Sequence, residues 1–194
     1  FGADPSKLFD AGDHYLQGVA IDSPQWQGSL QHGEAFVIYA ISYMSHMELL
    51  ATVRWLKQAF PKKPIAVLEN SQAVTAYSLS HMSKSFLDAG TDILICGEPY
   101  INWNSIKLRL ISGVCDALLI TNVITAESTN KPIRITEKLE RYPIPAWDLI
   151  RLEGYWNIPY SHGPKTPTFL PILTSRGCPY PCDFCVVPET NNRR

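Results

Sequence analysis

From Ala35 to Tyr43 the chain is almost continuously apolar, β-branched or aromatic, the pattern of a strand covered on both faces. Met47, Leu50, Val53 or Arg54, Leu56 or Lys57 and Phe60 then recur at helical spacing, until Pro61 and Pro64 close the segment. Ile65 to Leu68 predicts a second buried strand. Tyr77 to Asp88 predicts a second helix, with Leu79, Met82, Phe86 and Leu87 along one side and Ala89-Gly90 as its stop. Ile93 to Cys96 reads as a third strand and Ser105 to Ser112 as a third helix ended by Gly113. Ala117 to Thr121 completes the series as a fourth strand or an edge piece. Strands alternating with helices predict parallel βαβ units in a doubly wound, Rossmann-like α/β sheet. Ligands of such sheets gather at the carboxyl ends of the strands. That rule singles out Ser42, Tyr43, Glu69, Asn70, Gly97 and Glu98, whose alternative reading is ordinary strand-end loop.

Beyond Glu127 the texture changes. Prolines at 132, 143, 145, 159, 164, 167 and 171 exclude long helices and central strands, which makes 127–167 a wrapping linker between 1–126 and a final segment, 168–194. Within the linker, Tyr142 to Asp148 is aromatic enough to dock on a neighbouring domain. Phe169 to Thr174 reads as a strand leading into the last motif. The formal net charge of -1 over 194 residues gives no basic footprint for nucleic acid. The apolar stretches fall far short of the roughly 20 residues that span a bilayer, so no membrane partner is expected. The opening residues, Phe1-Gly2-Ala3-Asp4-Pro5, lack both an initiating Met and a signal pattern, and the chain is expected to begin inside a longer protein.

Three of the five cysteines lie within eight positions, in Ser175-Arg176-Gly177-Cys178-Pro179-Tyr180-Pro181-Cys182-Asp183-Phe184-Cys185. Cys96 and Cys115 sit in apolar runs and read as small buried hydrophobes. An odd cysteine count without an export signal points to thiols in a reducing, cytoplasmic compartment. Thiolates three and then two residues apart can wrap one compact centre. Thiolates are the usual ligands of iron-sulfur clusters, and three of them leave one of four irons open, as chemistry at a metal requires. Gly177 permits a tight turn, and Pro179 and Pro181 stiffen the loop. The competing reading is a structural zinc site completed by a distant His162. His14, His32, His46 and His81 are unpaired at metal spacing and read as packed or solvated.

On these residues the C-terminal part resembles the radical S-adenosylmethionine superfamily, whose hallmark is Cys-x3-Cys-x2-Cys. Leu173 to Pro179 is similar to the strand and loop before that motif. Ile144 to Leu149 resembles the linker that joins a cobalamin-binding domain to the catalytic barrel in the B12-binding subgroup, and Gly97-Glu98 resembles that domain's Gly-Glu turn. The resemblance implies Cys178, Cys182 and Cys185 as ligands of a [4Fe-4S] cluster, with Phe184 beside the cofactors. It implies S-adenosylmethionine on the fourth iron, an external electron donor, and cleavage to a 5'-deoxyadenosyl radical. Cobalamin would be held near the six strand-end residues, for methyl transfer to an unreactive carbon. The chain departs from the subgroup at Glu69-Asn70-Ser71-Gln72, where Gly-Gly-x-His is common, and at Pro99, and it has no Asp-x-His-x-x-Gly.

Nine residues follow Cys185, against the roughly 250 of a typical (β/α) barrel. The expectation is therefore an enzyme fragment, inert alone, of a parent that performs radical chemistry. The alternative is a binding module that holds cobalamin or a partner without turnover.

Overall fold

The computed structural model describes residues 28, 30–70, 77–112, 120–127, 138–150, 152–156, 168–170, 177–180 and 182–187. The chain divides into two compact units, one of residues 32–142 with 175–194 and the other of 1–31 with 143–174.

In the first unit, β1 (Phe36–Ala40), β2 (Ile65–Glu69) and β3 (Ile93–Ile95) pair in parallel, and β4 (Val123–Ile124) adds antiparallel to β3, in the order β1-β2-β3-β4. Helices α1 (His46–Ala59) and α2 (Leu79–Ala89) make the crossovers, and α3 (Trp103–Ser112) follows β3. The fold is mixed α/β with a mostly parallel sheet.

Alternation along the strands explains the layers. Ala66, Leu68, Ile93 and Ile95 share one face, where they pack with Ile106 and Leu110 of α3 and with Ile120. Ile65, Val67 and Leu94 take the opposite face, all buried. Helix α1 buries Leu50, Val53 and Leu56, and α2 buries Leu79, Phe86 and Ala89; the two helices pack on each other and α2 on β3. Full burial of one such aliphatic or aromatic side chain stabilises by about 1.5–3 kcal/mol. Met47, placed on the same stripe by its spacing, is 68% exposed one turn before Leu50.

Several boundaries differ from those the residue pattern predicts. Strand β1 stops at Ala40, because Ser42 is extended and its Oγ accepts from Met44 N (3.2 Å), capping a 3-10 turn at Tyr43–Ser45. Helix α2 begins at Leu79, since Tyr77 N donates instead to Asn70 O (2.9 Å) at the end of β2. It ends at Gly90, whose φ of 109° is open to glycine. The fourth strand lies at Val123–Ile124 and antiparallel, so the sheet is not the all-parallel one expected; residues 113–119, including Cys115 and most of the predicted fourth strand, lie outside the described residues. Cys96 is fully buried, as its apolar run predicts. Among the described residues no helix is long and apolar enough to cross a membrane.

In the second unit, a 3-10 turn at Trp147–Leu149 precedes the short helix α4 (Leu152–Trp156), and Trp156 Nε1 donates to Phe169 O (2.7 Å). Ile144 and Leu149 are exposed. Phe169 and Leu170 are not in a strand, and 171–176 lie outside the described residues.

Candidate functional site

A cavity of about 400 Å3 opens at the carboxyl ends of the parallel strands. Tyr39 enters it from β1, beside Leu68 in the register of β1 on β2. Leu68 and Glu69 come from the end of β2, Gly97 to Tyr100 from the turn after β3, and Trp103 from the first residue of α3. The volume suits a small molecule, and the location is where an α/β sheet presents its loops.

Buried carboxylates organise this end of the sheet. Glu69, 2% exposed, accepts from Leu79 N (2.9 Å) through Oε1 and from Gly97 N (2.5 Å) through Oε2. The first contact caps α2, whose preceding Ser78 makes no side-chain cap and whose first turn carries no acidic residue. Glu69 thus supplies from a neighbouring strand the negative charge that a helix N-terminus favours. The second contact ties down the turn after β3, where Gly97 has a φ of 71°. Glu98, 3% exposed, accepts a hydrogen bond from the Tyr142 hydroxyl, and the Tyr142 ring meets Tyr100 edge-on at 5.1 Å.

The six strand-end residues singled out from the sequence therefore divide. Glu69, Gly97 and Glu98 line the cavity. Ser42 caps the 3-10 turn, and Tyr43 stacks on buried Tyr77 at 4.2 Å. Asn70 donates to Ile41 O (2.6 Å) and accepts from the Tyr39 hydroxyl (2.8 Å), which joins the ends of β1 and β2. Next to this joint, His46 Nδ1 and the Tyr77 hydroxyl share a hydrogen bond, a packed role for that histidine. Burial raises the Tyr77 phenol's pKa, with Tyr43 adding to the effect.

Tyr39, Tyr100 and Trp103 were not singled out from the sequence, because each reads there as an ordinary apolar position. Their common signal is an aromatic residue at, or shortly after, the carboxyl end of a strand. Burial and then neighbouring Tyr100 raise the Tyr39 phenol's pKa, so it stays neutral and donates to Asn70.

The thiol loop is built differently. Gly177 has a φ of 81°, and Cys185 N donates to Cys182 O (3.1 Å), closing a turn across Asp183 and Phe184. Cys178, Cys182 and Cys185 are free thiols, Cys182 exposed and the other two half-buried. Phe184 is 92% exposed. Among the described residues no three Cys, His, Asp or Glu side chains are gathered at metal-binding distance, and His162 lies outside them.

Comparison with protein-family models, with curated proteins and with solved structures gives no match to this chain.

Proposed function

We propose that the chain is part of a radical S-adenosylmethionine enzyme, with Cys178, Cys182 and Cys185 as the protein ligands of a [4Fe-4S] cluster. The observation that carries this reading is the set of three free thiols on one short loop, turned at Gly177 and again between Cys182 and Cys185. The donor chemistry suits iron: soft thiolates in a set of three, one fewer than a closed structural site uses. Gathering the thiols would then accompany binding, as it does wherever a metal centre organises its own loop. When bound, such a cluster supplies an electron and a chelating iron for S-adenosylmethionine. The chain's own part is to hold three corners, to leave the fourth open, and to offer Phe184 beside it.

Cobalamin, which the resemblance implies, is left out of this reading. Ser42, Tyr43 and Asn70 are engaged in caps, stacking and strand-end hydrogen bonds, and both Glu69 oxygens are bound to backbone amides.

Anaerobic reconstitution of the full chain with iron and sulfide tests the proposal. The expected product is coloured, with about four irons and four sulfides per chain; cleavage of S-adenosylmethionine on reduction is expected of the parent protein and not of this chain alone. Replacing any one of the three cysteines by Ser should remove most of the iron. A colourless protein that takes up one zinc would overturn the reading.

A further inference from the structure

Two of the three loop thiols stand in a different relation from the third. Cys185 N donates to Cys182 O (3.1 Å), with Asp183 and Phe184 as the corner residues of the turn. A four-residue turn of this kind holds its end Cα atoms within about 7 Å, and a disulfide spans Cα atoms about 4.4–6.8 Å apart. The backbone itself therefore holds Cys182 and Cys185 within disulfide reach. Cys178 is set off from Cys182 by Pro179-Tyr180-Pro181, and a residue before proline favours extended backbone. Four steps of extended, proline-rich backbone cover about 12 Å, which is beyond that reach. All three thiols are free, and among the described residues they are not gathered into one metal-binding group.

We propose that Cys182 and Cys185 form a redox-active dithiol, which closes to a disulfide by exchange with a low-molecular-weight disulfide and leaves Cys178 out. Cys182 is exposed and Cys185 half-buried, so the first attack falls to Cys182. Its sulfur bonds to one sulfur of the small disulfide, whose S–S bond breaks, and the other half departs as a thiol with the Cys182 proton. Cys185 then bonds to the Cys182 sulfur and expels the second half, which departs as a thiol with the Cys185 proton. Two protein thiols are oxidised, and one small disulfide is reduced to two thiols. The turn is open to such a reagent, since Asp183 and Phe184 are both exposed, and buried Val187 anchors the chain just beyond it. Ring closure costs little chain entropy, because the turn is in place before the bond forms.

The regulatory consequence rests on the cluster reading, whereas the pairing of the two cysteines does not. A sulfur bonded to its neighbour has no lone thiolate to give to iron, so disulfide and cluster exclude one another. Reducing conditions keep the pair open for iron, and an oxidising shift closes it. The same two side chains thus make cluster loading sensitive to the thiol–disulfide balance around the chain.

The test treats the iron-free full chain, without oxygen, with oxidised glutathione, and then blocks the remaining thiols with iodoacetamide. The tryptic peptide 177–193, which carries all three loop cysteines, is read by mass spectrometry. The expected peptide has lost two hydrogens and carries a single alkyl group, on Cys178. Cys178→Ser should still form the bond, and Cys185→Ser should stop at a glutathione adduct on Cys182; circular dichroism checks that each variant keeps its fold. A bond from Cys178 to either partner, or three alkylated thiols at a glutathione poise that oxidises a Cys-x2-Cys control protein, would overturn the proposal. Chain loaded with iron and sulfide in the reduced state, and freed of excess reagent, should resist the same treatment. Equal oxidation of loaded and iron-free chain would overturn the regulatory step. A reduced chain that takes up no cluster would overturn the cluster reading and the regulatory step with it, while the peptide from the iron-free chain alone decides the pairing.

Discussion

The two ends of the sheet handle their carboxylates in opposite ways. At the amino end, Asp92 stands in front of β3 and pairs with Lys57 from α1 at 3.0 Å, the two side chains 41% and 32% exposed. Asp92 also accepts from Ile65 N (2.8 Å), the first residue of β2. At the carboxyl end, Glu69 and Glu98 are buried, and their partners include backbone amides and a tyrosine hydroxyl. One end neutralises its charge with a cation in water. The other buries its carboxylates beside aromatic rings, where backbone amides and a tyrosine hydroxyl help hold them in place. The amino end therefore behaves as scaffold, while the carboxyl end builds the walls of the cavity.

The largest effect expected from breaking this contrast is at Glu69. Glu69→Ala leaves Leu79 N and Gly97 N buried without their acceptor, at about 1–3 kcal/mol each, and removes the charge at the start of α2. A loss of about 2–4 kcal/mol in urea unfolding is expected. Hydrogen exchange should accelerate first at the amides of Leu79 and Gly97. A loss under about 1 kcal/mol would mean that the two amides find other partners.

That residue also marks how far the sequence reading reached. The run Ile65 to Leu68 predicts β2 because burial on both faces leaves a visible apolar signature, and Ala89-Gly90 predicts the end of α2 because a left-handed residue there favours glycine. Glu69 stood out as a polar residue ending a buried strand, the position where ligands are expected. Its amide partners lie ten and twenty-eight residues away, and only the folded chain brings them to one carboxylate. Tyr39, Tyr100 and Trp103 converge in the same way, from elements whose local patterns say nothing of one another. The two-residue strand β4 is too short to show a period, and its antiparallel direction is set by pairing with β3. The cysteine triplet is the reverse case: its meaning rests on spacing along the chain, and none of its three thiols is fully buried in the fold.

A second, smaller effect belongs to the amino end. A Cβ at Gly90 would lie 2.9 Å from Lys57 Cγ, in a backbone with a φ of 109°. Gly90→Ala should cost about 1–3 kcal/mol through backbone strain and displacement of the Lys57 stem. Thermal unfolding of the variant measures it. The strand-end cavity should be untouched, because the strain is confined to the scaffold end. A folded Gly90→Ala chain in which hydrogen exchange also accelerated at the amides of Leu79 and Gly97 would show the two ends to be coupled.

The smallest effect separates the ion pair from the hydrogen bond it accompanies. Lys57→Met keeps the aliphatic stem beside Gly90 and removes the ammonium, leaving Asp92 still bound to Ile65 N. Because both partners are about a third or more exposed, screening limits the pair to less than about 1 kcal/mol. That difference should shrink further in 1 M salt, where charges are screened within about 3 Å. Asp92→Ala removes the acceptor of Ile65 N as well, and it should cost about 1 kcal/mol more than Lys57→Met, a gap insensitive to salt. Equal, salt-dependent losses in the two variants would assign the stabilisation to charge pairing alone and leave the Ile65 N hydrogen bond without a measurable share.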